Sequence, residues 1–140
     1  MTKVFIVDTN VLVAGLISSK KDSPVVYIVD AMLNGKIIYL LSPALLHEYR
    51  SVLLRPKLCK LHKLSEKEID QLLTEIIANA IFCEPPAGAE QAPDRGDDHL
   101  WDIMQYNRET LLITGDQLLL DKPLKGTSII LPATYLDMLS

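Results

Sequence analysis

Short apolar runs recur along this sequence, and stretches with helix signals separate them. The runs cover residues 3–7, 36–41, 81–83, 111–114 and 128–131. Within each run the apolar residues are largely consecutive rather than alternating, which is typical of strands buried on both faces. Such strands in alternation with helices predict a parallel sheet covered on both sides. We therefore expect an α/β fold with a doubly wound, Rossmann-like parallel sheet of about five strands flanked by helices.

Helix boundary signals fall between these runs. Ser42 and Pro43 predict the start of a helix that Pro56 ends, and Ser65 with Glu68 has the spacing of a capping box. Apolar spacing predicts further helices over about residues 24–34, 97–107 and 135–139, with a short helical turn after residue 116. No helix is predicted for residues 9–22. The Pro-, Ala- and Gly-rich loop at residues 84–96 is expected to be an ordered connector near a site or a mobile lid.

The length and composition suit one domain over residues 1–140. With 49% hydrophobic residues, the chain is long enough for one core and short for two. No apolar run approaches the roughly 20 residues that span a bilayer, and the N-terminus lacks the pattern of a signal peptide. Cys59 and Cys83 lie far apart without a C-x-x-C pattern, so neither a zinc site nor a disulfide framework is expected. We expect a soluble cytoplasmic protein with no membrane contact.

Several acidic residues are predicted to lie at the carboxyl ends of the strands, where parallel sheets bind ligands. Asp8 and Asp116 each follow a predicted strand, and ligands collect at the carboxyl ends of such strands. Glu48 borders the apolar stripe of a helix that follows the second strand, and Asp97 with Asp98 stands at the start of another helix. All of them are expected at one rim of the sheet. Oxygen ligands of this kind suit Mg²⁺ or Mn²⁺ much better than zinc.

Each acid also has an ordinary structural explanation. An aspartate after a strand often forms a turn, Asp97 or Asp98 would cap a helix, and Glu48 would lie at a helix edge or pair with Arg55. Capping needs only one carboxylate, however. With Asp94, three carboxylates fall within five residues, and they repel one another unless a cation offsets their charge. The joint placement therefore favours a cation site.

The charge of the chain is unevenly distributed. A net charge of −4 argues against a general polyanion binder. Residues 84–102 carry six acids and Arg95 as the one Lys or Arg, whereas no acid lies between Tyr49 and Ser65. A basic flank beside an acidic centre suits a metal-dependent enzyme that acts on a phosphodiester, although on charge alone ordinary solvated surface is the favoured explanation. The basic residues of the flank are Arg50, Arg55, Lys57, Lys60 and Lys63.

Four sequence blocks occur in an order that is typical of one family. They read FIVDTNVLVAGL, LLSPALLHEYRSVLLRPKL, PDRGDDHLWDIM and, near the end, LLITGDQLLL with ILPATYLDML. In these blocks the chain resembles the PIN-domain ribonucleases, in particular bacterial and archaeal toxins of toxin–antitoxin systems. The resemblance spans essentially the whole chain. Arg95 departs from it, because such relatives usually have a small or acidic residue there.

The resemblance implies a set of site residues. Four acids would form the centre, three of them as ligands of a divalent ion and the glutamate as a ligand or as a base acting through water. For the third acid we favour Asp97 over Asp98, because Asp97 lies closer to the helix cap. The matching positions are Asp8, Glu48, Asp97 or Asp98, and Asp116, with Asn10 and Thr114 as supporting polar residues.

The function implied by the resemblance is a Mg²⁺- or Mn²⁺-dependent endoribonuclease, the toxin of a toxin–antitoxin pair. RNA would be the substrate, an antitoxin the partner, and a homodimer the assembly, with Arg50, Arg55, Lys57 and Lys60 as candidate contacts to the RNA backbone. The alternative is a catalytically weak or inactive PIN-like module for interaction or regulation. A haloacid dehalogenase-type enzyme is set aside because it needs an acid where Asn10 stands, and a receiver domain because its acid pair and phosphorylatable aspartate are missing.

Overall fold

The computed structural model describes residues 3–88 and 90–139. Strands and helices alternate along the chain as the apolar runs predict. The elements, in chain order, are β1 (Phe5–Val7), α1 (Thr9–Ile17), α2 (Pro24–Leu33), β2 (Leu40–Leu41), α3 (Pro43–Leu53), α4 (Pro56–His62), α5 (Glu66–Asn79), β3 (Ile81–Phe82), a 3₁₀ turn (Arg95–Asp97), α6 (Asp98–Tyr106), β4 (Leu111–Ile113), α7 (Gln117–Asp121), β5 (Ser128–Ile130) and α8 (Pro132–Met138).

The strands pair in parallel throughout. One part of the sheet has the order β1-β4-β5 and the other pairs β2 with β3. A parallel bridge between Phe5 and Tyr39 joins the two parts, and the backbone N–H of Phe5 donates to the carbonyl of Ile38 at 2.9 Å. The spatial order is therefore β3-β2-β1-β4-β5, which confirms the expected parallel α/β sheet of about five strands.

The strand order reverses between β1 and β4. From β1 the chain moves outward on one side to β2 and β3, and it then returns to place β4 on the other side of β1. In open parallel sheets, ligands bind in the crevice beyond the carboxyl ends of the strands at such a switch point. Asp8 directly follows β1 and Thr114 directly follows β4. The topology therefore places these two residues at the crevice.

The helix α1 was not predicted from the sequence. Its residues include Thr9, Val11 and Val13, whose β-branched side chains read as a continuation of the preceding strand. Asp8 nevertheless caps the helix by accepting a hydrogen bond from the backbone N–H of Thr9 at 2.7 Å. Burial of Val11 and Leu12 stabilises the helix, so tertiary packing overrides its weak local propensity.

The prediction at Pro56 was incomplete, whereas Ser42 and Ser65 cap their helices as expected. α3 ends at Leu53, but Pro56 occupies the first turn of a further helix, α4, where its missing N–H costs nothing. Ser42 caps α3 by accepting from the N–H of Leu45, and Ser65 forms the full capping box with Glu68. No helix within the described residues is long and apolar enough to cross a bilayer.

Candidate functional site

A cavity of about 680 Å³ opens at the carboxyl ends of β1 and β4. Five carboxylates line it, together with an apolar wall from α1 and α3. The lining residues are Asp8, Thr9, Asn10, Glu48, Asp94, Asp97 and Asp116, the apolar Val13, Ala14, Ile17 and Val52, and Arg55 with Gly96. The predicted rim of acids is therefore brought together around one space, which we call the carboxylate cavity.

Asp8 is a buried carboxylate whose two oxygens are both hydrogen-bonded. Oδ1 accepts from the backbone N–H of Thr9, and Oδ2 accepts from the Thr114 hydroxyl at 2.7 Å and from the Asn10 amide at 3.2 Å. Burial raises the pKa of Asp8, and the bonds from Thr114 and Thr9 counteract part of that rise. Asp8 is only 3% exposed, and these hydrogen bonds offset part of the free-energy cost of burying its charge.

Asn10 and Thr114 hold the ends of β1 and β4 together. The Asn10 amide nitrogen donates to the Thr114 hydroxyl at 3.2 Å, and the Asn10 amide oxygen accepts from the Gly115 backbone at 3.0 Å. The Thr114 hydroxyl oxygen also accepts from the backbone N–H of Asp116 at 3.0 Å. Through these bonds the positions of Asp8 and Asp116 depend on one another. The supporting positions proposed from the sequence therefore contact the acids directly.

Glu48 reaches the carboxylate cavity from α3 and is bound by a histidine that the sequence analysis missed. The Nε2 atom of His99, on α6, lies 2.6 Å from Oε2 of Glu48. This hydrogen bond is the main cause that lowers the pKa of Glu48, and partial burial acts against it. The neighbouring Tyr49 is fully buried and donates its hydroxyl to the Val7 carbonyl, which fixes this turn of α3 beside the end of β1.

Two buried polar atoms near Glu48 have no hydrogen-bond partner among the described residues: Thr9 Oγ1 and His99 Nδ1. The Thr9 hydroxyl also contributes to lowering the pKa of Glu48, although its geometry falls outside that of a hydrogen bond. Buried polar groups are nearly always paired with protein or water, so the Thr9 hydroxyl on the cavity wall is available to a polar ligand or to water.

Asp97 and Asp98 have different surroundings. Asp97 lines the carboxylate cavity, and its pKa is raised to about 6 by burial and then by repulsion from other acids, of which Asp8 and Asp94 act most strongly. Asp98 instead accepts a hydrogen bond from the backbone N–H of Ala92 at 2.8 Å. Of these two aspartates, Asp97 lines the carboxylate cavity and Asp98 binds the backbone of the preceding loop.

Asp98 belongs to a row of side chains that fastens the loop to α6. The N–H of Gly88 donates to Asp102 at 2.8 Å, and the N–H of Glu90 donates to Gln105 at 3.1 Å. With Asp98, these acceptors follow one face of α6 at helical spacing. Of the two alternatives for this loop, the described part of it therefore matches the ordered connector near a site.

The candidate basic contacts also differ from one another. Arg50 on α3 is engaged with α5, with its guanidinium 2.8 Å from Asp70 and 3.2 Å from Glu66. Arg55 lines the carboxylate cavity, and Lys57 and Lys60 are exposed on α4. Arg55 is thus accessible beside the acids and Lys57 and Lys60 are accessible on α4, whereas the charge of Arg50 is largely matched within the protein.

The donor set fits a hydrated, oxygen-preferring cation. Among residues 3–88 and 90–139, no three His, Cys, Asp or Glu side chains lie close enough together to enclose a metal ion by themselves. Mg²⁺ keeps several waters and usually takes only one or two protein carboxylates, so the carboxylate cavity suits it without a closed cage. The raised pKa of Asp97 and the unpaired Thr9 hydroxyl agree with a site that a cation and its waters would complete.

A sequence model of the PIN domain matches residues 4–118, which is most of the chain. A search of curated proteins finds no match. PIN domains are generally nucleases that bind divalent metals, and the matched segment contains each acid that lines the carboxylate cavity. The chain therefore belongs to the PIN-domain family.

Proposed function

We propose that this protein is a metal-dependent endoribonuclease that hydrolyses RNA phosphodiester bonds. One observation carries the proposal: five acids from four separate segments of the chain line one cavity at the switch point of the sheet. Without a cation, that arrangement is penalised by burial and by mutual repulsion, which in that order raise the pKa of Asp97. A cation that offsets the repulsion would also attract a polyanionic substrate to an acidic cavity.

The residues that would hold Mg²⁺ or Mn²⁺ are Asp8, Asp97 and Asp116, with Glu48 as a further ligand or as a base through water. The chemistry that such an ion supplies is activation of a water nucleophile and stabilisation of charge on the phosphate oxygens. Because its pKa is lowered, Glu48 stays ionised at neutral pH, as either role requires. Thr114 orients the Asp8 carboxylate through its hydroxyl.

Substrate binding is proposed to use the basic side of the cavity. Arg55 lines the cavity itself, and Lys57 with Lys60 extends positive charge along α4. These side chains would contact RNA phosphates, which dominate the affinity of most nucleic-acid complexes. We expect less from Arg50, because Asp70 and Glu66 already neutralise it.

The finer biological role that we propose is that of a toxin in a toxin–antitoxin pair. It rests on the resemblance of the four sequence blocks to toxins of this family. A cytoplasmic single domain over residues 1–140, a homodimer and a cognate antitoxin belong to the same proposal.

The test is cleavage of a mixed pool of single-stranded and structured RNA with Mn²⁺, Mg²⁺ or EDTA. Wild type is compared with Asp8→Asn and with Asp30→Asn, whose aspartate is exposed on α2 away from the cavity. We expect metal-dependent cutting by wild type and Asp30→Asn and none by Asp8→Asn. Absence of cleavage and of Mn²⁺ binding in the wild type would contradict the proposal and favour the alternative, an inactive PIN-like interaction or regulatory module.

A further inference from the structure

The contact between Glu48 and His99 links two parts of the carboxylate cavity. Glu48 lies on α3, and His99 lies in the first turn of α6, two residues after Asp97. Their side chains are 29% and 16% exposed, and the Nε2–Oε2 distance is 2.6 Å. The bond therefore couples the glutamate to the helix start that also carries the third acid.

His99 is placed behind Glu48 rather than in the cavity. It lines a smaller, adjacent cavity of about 270 Å³ that Ser42, Pro43 and Asp102 also line. It is not among the residues that line the carboxylate cavity. A direct contact from His99 to the substrate is thus not expected, and the histidine acts on that cavity mainly through its hydrogen bond to Glu48.

The chemistry of the contact fixes its direction. An ionised carboxylate only accepts hydrogen bonds, so Nε2 carries the hydrogen and donates to Oε2. Oε1 is then the oxygen of Glu48 that is left for a cation or its water. A glutamate side chain loses rotamer freedom when it is fixed, and the bond to His99 imposes that order before any ligand arrives.

A purely structural role explains the histidine poorly. Its other ring nitrogen, Nδ1, is buried without a hydrogen-bond partner among the described residues. An unpaired buried polar group is unfavourable, so an apolar side chain of similar size would suit the packing of α3 against α6 at least as well. The feature that an apolar residue lacks is the donor to Glu48.

We propose that His99 is a positioning residue that holds the Glu48 carboxylate in the orientation that binds the divalent cation. The inference rests on the proposed function, because it assigns His99 a part in the same site. Hydrogen-bond partners behind metal-binding side chains commonly contribute about 10–100-fold to metal affinity or activity.

A matched pair of variants tests this inference. His99→Gln and His99→Met have side chains of similar length and volume, but only glutamine can donate a hydrogen bond to Oε2. The readouts are Mn²⁺ affinity, measured by titration calorimetry on the folded full chain, and RNA cleavage resolved into kcat and KM. His47→Gln serves as the control, because His47 is exposed on α3 next to Glu48.

We expect His99→Met to weaken Mn²⁺ binding about 10–100-fold and to lower kcat with little change in KM. His99→Gln should restore most of the affinity, and His47→Gln should match wild type. Equal Mn²⁺ affinity in wild type and His99→Met, with Asp8→Asn still defective, would overturn this inference and leave the proposed function standing. Absence of Mn²⁺ binding in the wild type would overturn both.

Discussion

Removing the charge of Asp97 is expected to stabilise the metal-free protein. The pKa of its carboxyl group is raised from 3.8 to about 6, first by burial and then by neighbouring acids. A group whose pKa is higher in the folded state binds more protons when folded, so the free energy of unfolding falls as pH rises through this window. The loss of stability caused by the Asp97 charge is absent below pH 3.8 and complete above about pH 6. Asp97→Asn abolishes it.

The magnitude follows from the two pKa values. At 1.36 kcal/mol per pKa unit, their difference corresponds to at most about 3 kcal/mol. The Asp97 side chain is partly exposed, and solvent screens the repulsion, so we expect a gain of about 1 kcal/mol.

The assay is urea unfolding in EDTA at several pH values between 4 and 8. Asp97→Asn should exceed wild type by about 1 kcal/mol at pH 8 and match it near pH 4. Asp98→Asn is the matched control. The carboxylate of Asp98 is next to Asp97 in sequence, but it accepts a hydrogen bond from the N–H of Ala92 instead of lining the cavity. This variant should not be stabilised. The reasoning is refuted if Asp97→Asn is no more stable than wild type at pH 8, or if Asp98→Asn gains as much.

Cations should reverse the order of stabilities. A ligand that binds only the folded state at 100 times its Kd adds about 2.7 kcal/mol to the free energy of unfolding. With Mn²⁺ at such a level, wild type should become more stable than Asp97→Asn, because the variant lacks one of the proposed ligands. Persistence of the stability advantage of Asp97→Asn in Mn²⁺ would argue against Asp97 as a ligand.

Two other predictions concern the surroundings of the acids. Thr114→Val removes the hydroxyl that donates to Asp8. In urea titrations at pH 7, this change should lower the free energy of unfolding by about 2 kcal/mol. An unchanged free energy of unfolding would show that this bond does not support the buried carboxylate. RNA binding can be measured in the inactive Asp8→Asn background. There, replacing Lys57 and Lys60 by Gln should reduce the magnitude of the slope of log K against log[salt] for single-stranded RNA by about 0.7 for each phosphate that is no longer neutralised. Arg50→Gln should leave the slope nearly unchanged, and equal effects of the two changes would contradict the distinction drawn between these side chains.

Local signals in the sequence were sufficient to predict the parallel sheet and several helix ends. Ser42 and Ser65 cap the helices that they were predicted to cap, because a cap depends on residues only three positions away. The helix α1 was missed because its β-branched residues read as strand, and its stability comes from burial. Pro56 was read as a stop although proline equally suits the first turn of a new helix.

Contacts between segments that are distant in the chain could not be predicted from a single sequence. His99 directly follows the acid pair, which was the one local sign of its importance, but its partner Glu48 is 51 residues away. Likewise, Arg50 read as a free cation because Asp70 comes beside it only through the packing of α3 against α5. The strand-end acids were accessible to prediction because parallel strands must end at a shared edge.

The most direct test of the account is a crystal structure of the wild-type protein soaked in Mn²⁺, with anomalous scattering used to locate the ion. The account predicts an anomalous peak inside the carboxylate cavity, among Asp8, Glu48, Asp97 and Asp116, and no such peak in Asp8→Asn. An empty cavity in crystals soaked at millimolar Mn²⁺, or a peak that persists in Asp8→Asn, would contradict the claim that these acids form a cation-binding centre.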